Sequence, residues 1–250
     1  MSFIVIISAR LASSRLPNKP LADIAGKPMV VRTAERAMLS GASQIMVATD
    51  HVDILAACKA HGIPACMTRS NHPSGTDRIA EVAAAMRLAD DAVVVNVQGD
   101  EPLIAPELIA ATAALVNLQV PMATAAHAID DMQEAFNPNV VKVVLDKMGR
   151  AMYFSRATIP WNRDAFATNR EVLPQDYVAL RHIGLYAYRN DFLQSYPLLE
   201  KSPLEHIEAL EQLRVLWNGY AIAVHITEAS PAPGVDTIED LIKVRNLFCA

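Results

Sequence analysis

Short apolar runs rich in β-branched residues alternate with longer alanine-rich segments along most of this 250-residue chain. Each run has the length of a strand, and each alanine-rich segment carries apolar residues at helical spacing. Repeated strand and crossover-helix units build a mostly parallel sheet covered by helices on both faces. The sequence therefore predicts a three-layer α/β fold. We expect residues 1–250 to form one domain, because 52% of them are hydrophobic and fill one large core.

The predicted elements follow one another in the order such a fold requires. The predicted strands are Phe3–Ile7, Gln44–Ala48, Ala65–Met67, Ala92–Val97, Met122–Ala126, Val140–Leu145, His182–Tyr188 and Ala221–Ile226. The predicted helices are Pro28–Leu39, Asp53–Ala60, Thr76–Leu88, Pro106–Leu118, Pro203–Trp217 and Thr237–Phe248. The segment Tyr153–Asp176 is polar and proline-containing and interrupts the alternation, so we predict an excursion there that closes over a substrate or contacts another subunit.

Composition excludes several classes of protein. The formal net charge is −5, and the chain has no basic block, which argues against a nucleic-acid partner. Three cysteines without a C-x-x-C pair argue against a disulfide framework and a structural zinc, and they favour a reducing cytoplasm. The stretch Leu108–Ile129 has no charged residue, but Asn117, Gln119 and Pro121 interrupt it. It predicts helix, turn and strand, and no membrane partner is expected.

The loop after the first predicted strand carries three cations, Arg10, Arg15 and Lys19, among small residues and prolines. In open α/β sheets, ligands bind beyond the carboxyl ends of the strands. Arginine forks and a lysine suit phosphate oxygens, so the loop is a candidate polyphosphate site. The alternative is a solvated surface loop. The glycine patterns of Walker loops and of dinucleotide-binding folds are absent from the sequence.

An acidic pair, Asp100 and Glu101, directly follows the predicted strand Ala92–Val97. Mg²⁺ prefers oxygen ligands, often one or two carboxylates completed by substrate phosphates. Asp236, before the last predicted helix, offers a second carboxylate. The alternative for Asp236 is that, with Thr237, it caps that helix. We leave Glu101 outside the metal ligands, as a supporting or surface residue.

Two further segments carry candidate groups. The turn Ser74–Arg78 leads into a predicted helix, whose backbone N–H groups suit a phosphate or a base edge. In the predicted helix Pro203–Trp217, apolar residues recur at helical spacing as a core stripe, with Glu211 beside it. The stripe consists of Leu204, Ile207, Leu210, Leu213 and Trp217. The alternative for Glu211 is a solvated glutamate on a charged face.

These motifs together resemble the 3-deoxy-manno-octulosonate (Kdo) cytidylyltransferase family. The loop matches the pattern A-R-x-x-S-x-R-L-P-x-K-P-L over Ala9–Leu21. Further matches in the family's order are Thr49–Asp50, Ser74–Arg78, Val97–Pro102, Phe154–Trp161, Arg181–Gly184, Ser202–Glu208, Glu211–Arg214 and Gly234–Thr237. The sequence departs from the family at Ser8, where proline is usual, and at Asn18, where glycine is common.

The resemblance implies a Rossmann-like nucleotide-diphospho-sugar transferase fold and transfer of CMP from CTP to Kdo with Mg²⁺. It implies that Arg10, Arg15 and Lys19 hold the CTP phosphates and that Asp100 and Asp236 bind the metal. Arg10, Lys19 and Asp100 are the implied catalytic residues. For the rest of the nucleotide, the resemblance implies contacts from Ala9, Ser74, Gly75 and Gln98. For the sugar, it implies contacts from Arg78, Gln98, Arg156, His182, Tyr186, Glu211 and Gln212.

Two other functions stay open at this point. One is a cytidylyltransferase for another acid sugar, 8-amino-Kdo or sialic acid, and the other is a catalytically silent nucleotide-binding regulator. The resemblance also implies a cytoplasmic homodimer whose product feeds lipopolysaccharide biosynthesis. We expect a sugar-binding and dimerisation subregion around residues 140–190, with Phe154, Ile159 and Trp161 at the subunit contact because isolated apolar groups need burial.

Overall fold

The computed structural model describes residues 2–12, 15–175, 177–228, 232 and 234–249. The strands are β1 (Phe3–Ala9), β2 (Asp23–Ile24), β3 (Lys27–Pro28), β4 (Gln44–Thr49), β5 (Ala65–Met67), β6 (Val93–Gln98), β7 (Met122–Ala128), β8 (Lys142–Leu145), β9 (Ala151–Ser155), β10 (Leu180–Arg189) and β11 (Ile222–Thr227). The α-helices are α1 (Met29–Met38), α2 (Val52–Ala60), α3 (Gly75–Ala85), α4 (Pro106–Ala114), α5 (Met132–Phe136), α6 (Arg163–Thr168), α7 (Asn190–Ser195), α8 (Pro203–Glu208), α9 (Leu213–Trp217) and α10 (Ile238–Cys249).

The central sheet has the order β11-β7-β10-β6-β1-β4-β5, and β8 and β9 extend it beside β10. Four strand pairs are parallel: β1 with β4, β1 with β6, β4 with β5, and β7 with β11. Strand β10 runs antiparallel between β6 and β7. The predicted three-layer α/β class is confirmed, with one antiparallel strand inserted near the middle of the sheet.

Helices cover both faces of this sheet, which explains why the inner strand β1 is apolar along most of its length. In β1, Val5 and Ile7 pack on one face with α1, α2 and α4, while Ile4 and Ile6 pack on the other with α3, α7 and α9. A smaller cluster joins α10 to the β2–β3 hairpin. The carboxyl ends of β1, β4 and β6 therefore lie side by side at one edge, in the place predicted for the ligand.

The predicted helix Pro203–Trp217 is wrong as a single element, because the chain breaks at Ala209, whose φ is +51°. The Arg156 guanidinium lies across this break and donates from Nε to the Glu208 carbonyl at 2.6 Å. The predicted core stripe fails with the helix. Leu210 and Leu213 are buried, whereas Ile207 is 76% exposed and Trp217 is 52% exposed.

The predicted excursion Tyr153–Asp176 begins inside the sheet, because β9 continues to Ser155. Phe154 is fully buried in its own subunit, so its expected exposure is wrong, whereas Trp161 is 49% exposed. Trp161 packs against Phe166, and Phe166 against Tyr177, both edge to face. Position 176 at the end of the segment lies outside the described residues.

The charge-free stretch Leu108–Ile129 contains the end of α4, a turn and β7, as predicted. Among the described residues, no helix is long and apolar enough to cross a membrane. Helices α5, α6 and α7 and the β2–β3 hairpin were not predicted, because each is too short to show a periodic pattern.

Candidate active site

A cleft of about 1210 Å³ opens beyond the carboxyl ends of β1 and β6. The loop after β1, the start of α3, the turn after β6, the α8–α9 segment and the turn before α10 form its walls. Of the predicted site residues, those lining it are Ala9, Arg10, Arg15, Lys19, Ser74, Gly75, Arg78, Gln98, Asp100, Glu211 and Asp236. Arg156, His182, Tyr186 and Gln212 are not among the residues that line it.

Lys19 occupies the middle of the acidic centre. It begins a 3-10 turn after Asn18, whose φ is +54°. Asparagine tolerates this left-handed conformation better than most residues, so it preserves the backbone that a glycine would adopt. The asparagine at position 18 is therefore compatible with a left-handed backbone, the conformation that glycine adopts most easily.

The Lys19 ammonium contacts two carboxylates from distant parts of the chain. Its Nζ lies 2.5 Å from Asp100 Oδ2 and 3.0 Å from Asp236 Oδ1. Burial alone would lower the pKa of Lys19, but the two carboxylates outweigh it and raise that pKa. Arg15 Nη2 lies 2.9 Å from the same Asp236 oxygen. Two predicted phosphate ligands thus meet the two predicted metal ligands.

The structure decides between the two interpretations of Asp236. Helix α10 is capped by Thr237, whose Oγ1 accepts from Asp240 N at 3.2 Å. The Asp240 carboxylate in turn accepts from Thr237 N at 3.0 Å, which completes a reciprocal cap. The Asp236 carboxylate makes no capping contact and points at Lys19, so the capping alternative is wrong for Asp236.

Backbone contacts hold Asp236 beside Asp100. Val235 N donates to the Asp100 carbonyl at 2.9 Å, and the Val235 side chain is buried with Leu241 in the cluster beneath α10. The C-terminal helix therefore brings the second carboxylate to the first. Sequence spacing alone does not reveal this pairing, because the two aspartates are far apart in the chain.

The donor chemistry of this centre fits Mg²⁺. Two carboxylate oxygens converge on the single position that the Lys19 ammonium occupies, and Mg²⁺ is typically bound by one or two carboxylates with substrate phosphates. Among the residues that the structure describes, no group of three or more His, Cys, Asp or Glu is arranged around one metal position. The protein would therefore supply Asp100 and Asp236, and the remaining ligands would come from substrate and water.

Glu101 is more deeply placed than the sequence indicated. Burial, with the nearby charges of Asp100 and Asp236, raises the pKa of its carboxyl to about 7. Gly234 permits this packing, since a Cβ there would lie 3.3 Å from Glu101 Oε1. Glu101 thus packs directly behind the acidic centre. Its place after an apolar strand was the one available signal.

At the other end of the cleft, small residues bring backbone and amide groups together. A Cβ on Gly99 would lie 3.0 Å from the Ser8 carbonyl oxygen and 3.1 Å from the Ala9 Cβ, so only glycine fits without movement. Ser8 Oγ donates to Gln98 Oε1 at 3.2 Å. Ser74 caps α3, its Oγ accepting from Asp77 N at 3.2 Å. The predicted base-binding groups therefore share one wall.

Arg78 is braced by a residue to which no role was assigned from sequence. Its Nη2 lies 2.8 Å from Asp50 Oδ2, and its Nη1 contacts Thr68 Oγ1. The other Asp50 oxygen accepts from Leu11 N at 3.4 Å. Asp50 therefore ties α3 to the phosphate-loop backbone. The Thr49–Asp50 match to the family was the signal that pointed to it.

The predicted sugar-binding residues divide into two groups. Glu211 lines the cleft and accepts from Thr76 Oγ1 at 3.1 Å, and burial raises the pKa of its carboxyl. His182 lies behind the cleft with Nε2 3.0 Å from Thr124 Oγ1, and burial lowers its pKa to about 3. Tyr186 stacks beside it at 5.4 Å between ring centroids. His182 is therefore a neutral imidazole.

The Arg156 side chain is half-buried, whereas Gln212 is buried. Arg156 is held by main-chain carbonyls of Glu208 and Pro138, at 2.6 and 3.1 Å. The Glu208 carboxylate accepts from Ser155 Oγ at 2.7 Å and from Arg156 N at 2.9 Å. Gln212 is 2% exposed. In the described structure these side chains support the cleft wall, and a direct sugar contact by either stays a prediction.

Comparisons with known proteins identify the family of this chain. The cytidylyltransferase family profile matches residues 4–226. A 3-deoxy-manno-octulosonate cytidylyltransferase of Herminiimonas arsenicoxydans is 72% identical over 248 residues, covering 99% of each chain. One from Neisseria gonorrhoeae (strain NCCP11945) is 60% identical over 247 residues, covering 98% of each.

A solved structure provides a third comparison. That of a CMP:2-keto-3-deoxy-manno-octonic acid synthetase complexed with CTP aligns with a TM-score of 0.90 at 41% identity, covering 100% of this chain and 99% of that chain. The agreement extends over nearly the whole length of both chains. This chain therefore belongs to the 3-deoxy-manno-octulosonate cytidylyltransferase family.

Proposed function

We propose that this protein transfers CMP from CTP to 3-deoxy-D-manno-octulosonate, releasing pyrophosphate. One observation carries the proposal: the cations Arg15 and Lys19 and the carboxylates Asp100 and Asp236 meet in one cleft of a chain from this family. A triphosphate needs cations, and a metal bound to it needs carboxylates. This cleft offers both within a few ångströms.

The phosphates of CTP would enter beside the β1 loop. Arg10 and Arg15 are exposed there, and the Lys19 ammonium, which contacts both carboxylates in this structure, would turn toward the phosphates. Asp100 and Asp236 would then hold Mg²⁺. A bound Mg²⁺ would neutralise charge at the reacting phosphate and lower the pKa of the attacking sugar hydroxyl. The three cations would stabilise the negative charge that builds on the departing pyrophosphate.

The base would lie against the wall formed by Ala9, Ser74, Gly75 and Gln98. Backbone groups of Ala9 and Gly75, the Ser74 hydroxyl and the Gln98 amide can pair with a pyrimidine edge. A base whose edge does not match would leave buried polar groups without partners, and this is a strong basis for selection. We infer that these groups select cytosine.

The acid sugar would bind toward the α8–α9 side of the cleft. Kdo carries a carboxylate and several hydroxyls, so it requires at least one strong donor and several hydrogen-bonding partners. Glu211 lies on this side, and Arg78, held by Asp50, lines the cleft from α3. His182, Tyr186, Arg156 and Gln212 are not among the residues that line the cleft. We infer that Arg78 and Glu211 make the nearest sugar contacts and that the other four shape the wall.

The test is pyrophosphate release from CTP with Mg²⁺, using Kdo, 8-amino-Kdo and sialic acid in parallel. We expect release that depends on the sugar, with the highest kcat/KM for Kdo. Higher turnover with 8-amino-Kdo or sialic acid would change the assigned substrate. Tight CTP binding without release with any of the three sugars would identify a catalytically silent nucleotide-binding protein and overturn the proposal.

We further propose that the protein is a homodimer and that it is cytoplasmic. Each protomer would be a single catalytic domain of residues 1–250, and its product would serve lipopolysaccharide biosynthesis. Support for self-association comes from exposed apolar side chains within the 140–190 subregion. They are Met152 (64% exposed), Trp161 (49%), Val172 (66%) and Val178 (71%). Light scattering of wild type and Trp161→Glu tests this: we expect a dimer weakened by the substitution. A wild-type monomer would refute it.

A further inference from the structure

Strand β6 (Val93–Gln98) carries a polar residue, Asn96, inside its apolar run Val93–Val97. The side chain is completely buried, and neither Oδ1 nor Nδ2 has a hydrogen-bond partner within the part of the chain that the structure describes. A buried amide without partners destabilises a fold, and an apolar residue would serve better for packing alone. Asn96 therefore calls for a role beyond packing.

The surroundings of Asn96 place it directly beneath the base-binding wall. A Cβ on Gly75 would lie 3.4 Å from Ser8 Oγ, 3.6 Å from Asn96 Nδ2 and 3.8 Å from Gln98 Nε2. Three polar atoms thus lie around the position that a side chain at residue 75 would occupy, and the glycine lets them approach the start of α3 closely. Gly75, Ser8 and Gln98 line the cleft, and Asn96 lies below them in the sheet.

Ser8 connects this space to Gln98. Its hydroxyl donates to Gln98 Oε1 at 3.2 Å, and its lone pairs are then left to accept. Asn96 Nδ2 is a buried donor on the same side of the sheet, and it lies around the same Gly75 position as Ser8 Oγ, which can accept from it. The result is a directional chain from Asn96, through Ser8, to the Gln98 oxygen.

We propose that Ser8 and Asn96 are positioning residues that fix the Gln98 amide with its oxygen inward and its NH₂ group toward the cleft. This inference rests on the proposed use of CTP. An amide NH₂ matches cytosine, whose ring N3 accepts a hydrogen bond, and opposes uracil, whose N3 carries a hydrogen. The pair Ser8 and Asn96 thereby makes Gln98 a donor that favours cytosine over uracil.

The test compares Ser8→Ala, Ser8→Thr and Asn96→Leu with wild type for CTP and UTP. Binding of each nucleotide is measured by calorimetry, and kcat/KM is measured with Kdo. Ser8→Ala and Asn96→Leu release the Gln98 amide to rotate, so we expect the CTP-to-UTP preference to fall about tenfold. Ser8→Thr keeps the hydroxyl and is expected to retain the preference.

A matched control is Ser43→Ala. Ser43 Oγ donates to the Phe3 carbonyl at 2.9 Å, at the opposite end of β1 from the cleft. This variant loses a serine hydrogen bond of the same kind, so we expect its nucleotide preference to equal that of wild type. A fall of the same size in Ser43→Ala would mean that the effect is general loosening of the fold, which overturns the proposal.

Thermal unfolding separates positioning from packing. Leucine branches at the same carbon as asparagine, has the same number of side-chain heavy atoms and removes the unpartnered amide, so Asn96→Leu is expected to melt at or above the wild-type temperature while its nucleotide preference falls. An unchanged preference in both Ser8→Ala and Asn96→Leu overturns the proposal. Because nucleotide binding is measured without sugar, this result is independent of whether Kdo is the acceptor, and failure of transfer alone refutes only the proposed function.

Discussion

Replacing Lys19 with methionine tests whether Asp100 and Asp236 form one cation site. The Lys19 side chain is 13% exposed and its ammonium contacts both carboxylates. Methionine keeps the length of the side chain and removes the charge, so two carboxylates face each other without their shared cation. We expect the metal-free variant to be less stable than wild type and to gain more stability from Mg²⁺.

The magnitude follows from the exposure of the partners. Asp236 is 50% exposed and keeps Arg15 at 2.9 Å, so its pair with Lys19 is screened and contributes little. Asp100 is 32% exposed and bears most of the loss. Together, the two lost ion pairs are expected to lower the unfolding free energy of Lys19→Met by about 1–2 kcal/mol. This lowers Tm by roughly 3–6 °C in a domain of this size. At ten times its dissociation constant, Mg²⁺ returns about 1.4 kcal/mol.

The assay is thermal unfolding of wild type and variant in EDTA and in a series of Mg²⁺ concentrations. Lys27→Met is the matched control, because Lys27 pairs with Glu35 on the surface, where side-chain exposures are 38% and 35% and ion pairs contribute little. We expect the control to melt within about 2 °C of wild type. Equal Mg²⁺-induced Tm shifts in wild type and Lys19→Met would refute the shared cation site.

Two further predictions concern the cleft floor and the buried histidine. Gly99→Ala places a Cβ against the Ser8 carbonyl and Ala9, so we expect about 1–3 kcal/mol of destabilisation and a raised KM for CTP. The control is Gly184→Ala, because no described atom lies within 4 Å of the Cβ that it adds. Equal effects of the two substitutions would contradict the reasoning. Burial lowers the pKa of His182 to about 3. As the pH falls from 6.5 toward 3, the unfolded chain therefore takes up a proton that the folded chain does not, and the folded state loses stability. Between pH 7 and pH 5, the unfolding free energy of His182→Gln, measured in urea, is expected to fall by about 1–2 kcal/mol less than that of wild type. Identical falls in the two proteins would contradict the lowered pKa of His182.

The strands and long helices were predictable because their apolar periodicity is local. Helix Pro106–Ala114 began at its predicted residue, and strand Ala65–Met67 matched at both ends. The break at Ala209 was not predictable from local pattern. It depends on Ser155 and Arg156, which reach from another part of the fold to bind Glu208 directly beside the break.

The candidate site shows the same division. Motifs identified Lys19, Asp100 and Asp236, but their meeting at one point depends on α10 packing over the β2–β3 hairpin. Asp50 and Glu101 act through residues that they contact only in the folded chain, and the motifs around them do not indicate which residues these are. Asn96 was visible in the sequence as a polar residue inside an apolar strand, but its significance depends on Gly75 lying above it.

The most direct test of the central claim is pyrophosphate release from CTP and Kdo by wild type, Asp100→Asn and Asp236→Asn in Mg²⁺. Both substitutions keep the side-chain shape and remove a charged oxygen ligand. We predict Kdo-dependent release by wild type and a fall in kcat of about 100-fold or more in each variant, with native circular dichroism retained. Near-wild-type turnover in either folded variant would contradict the assignment of these two carboxylates to the metal.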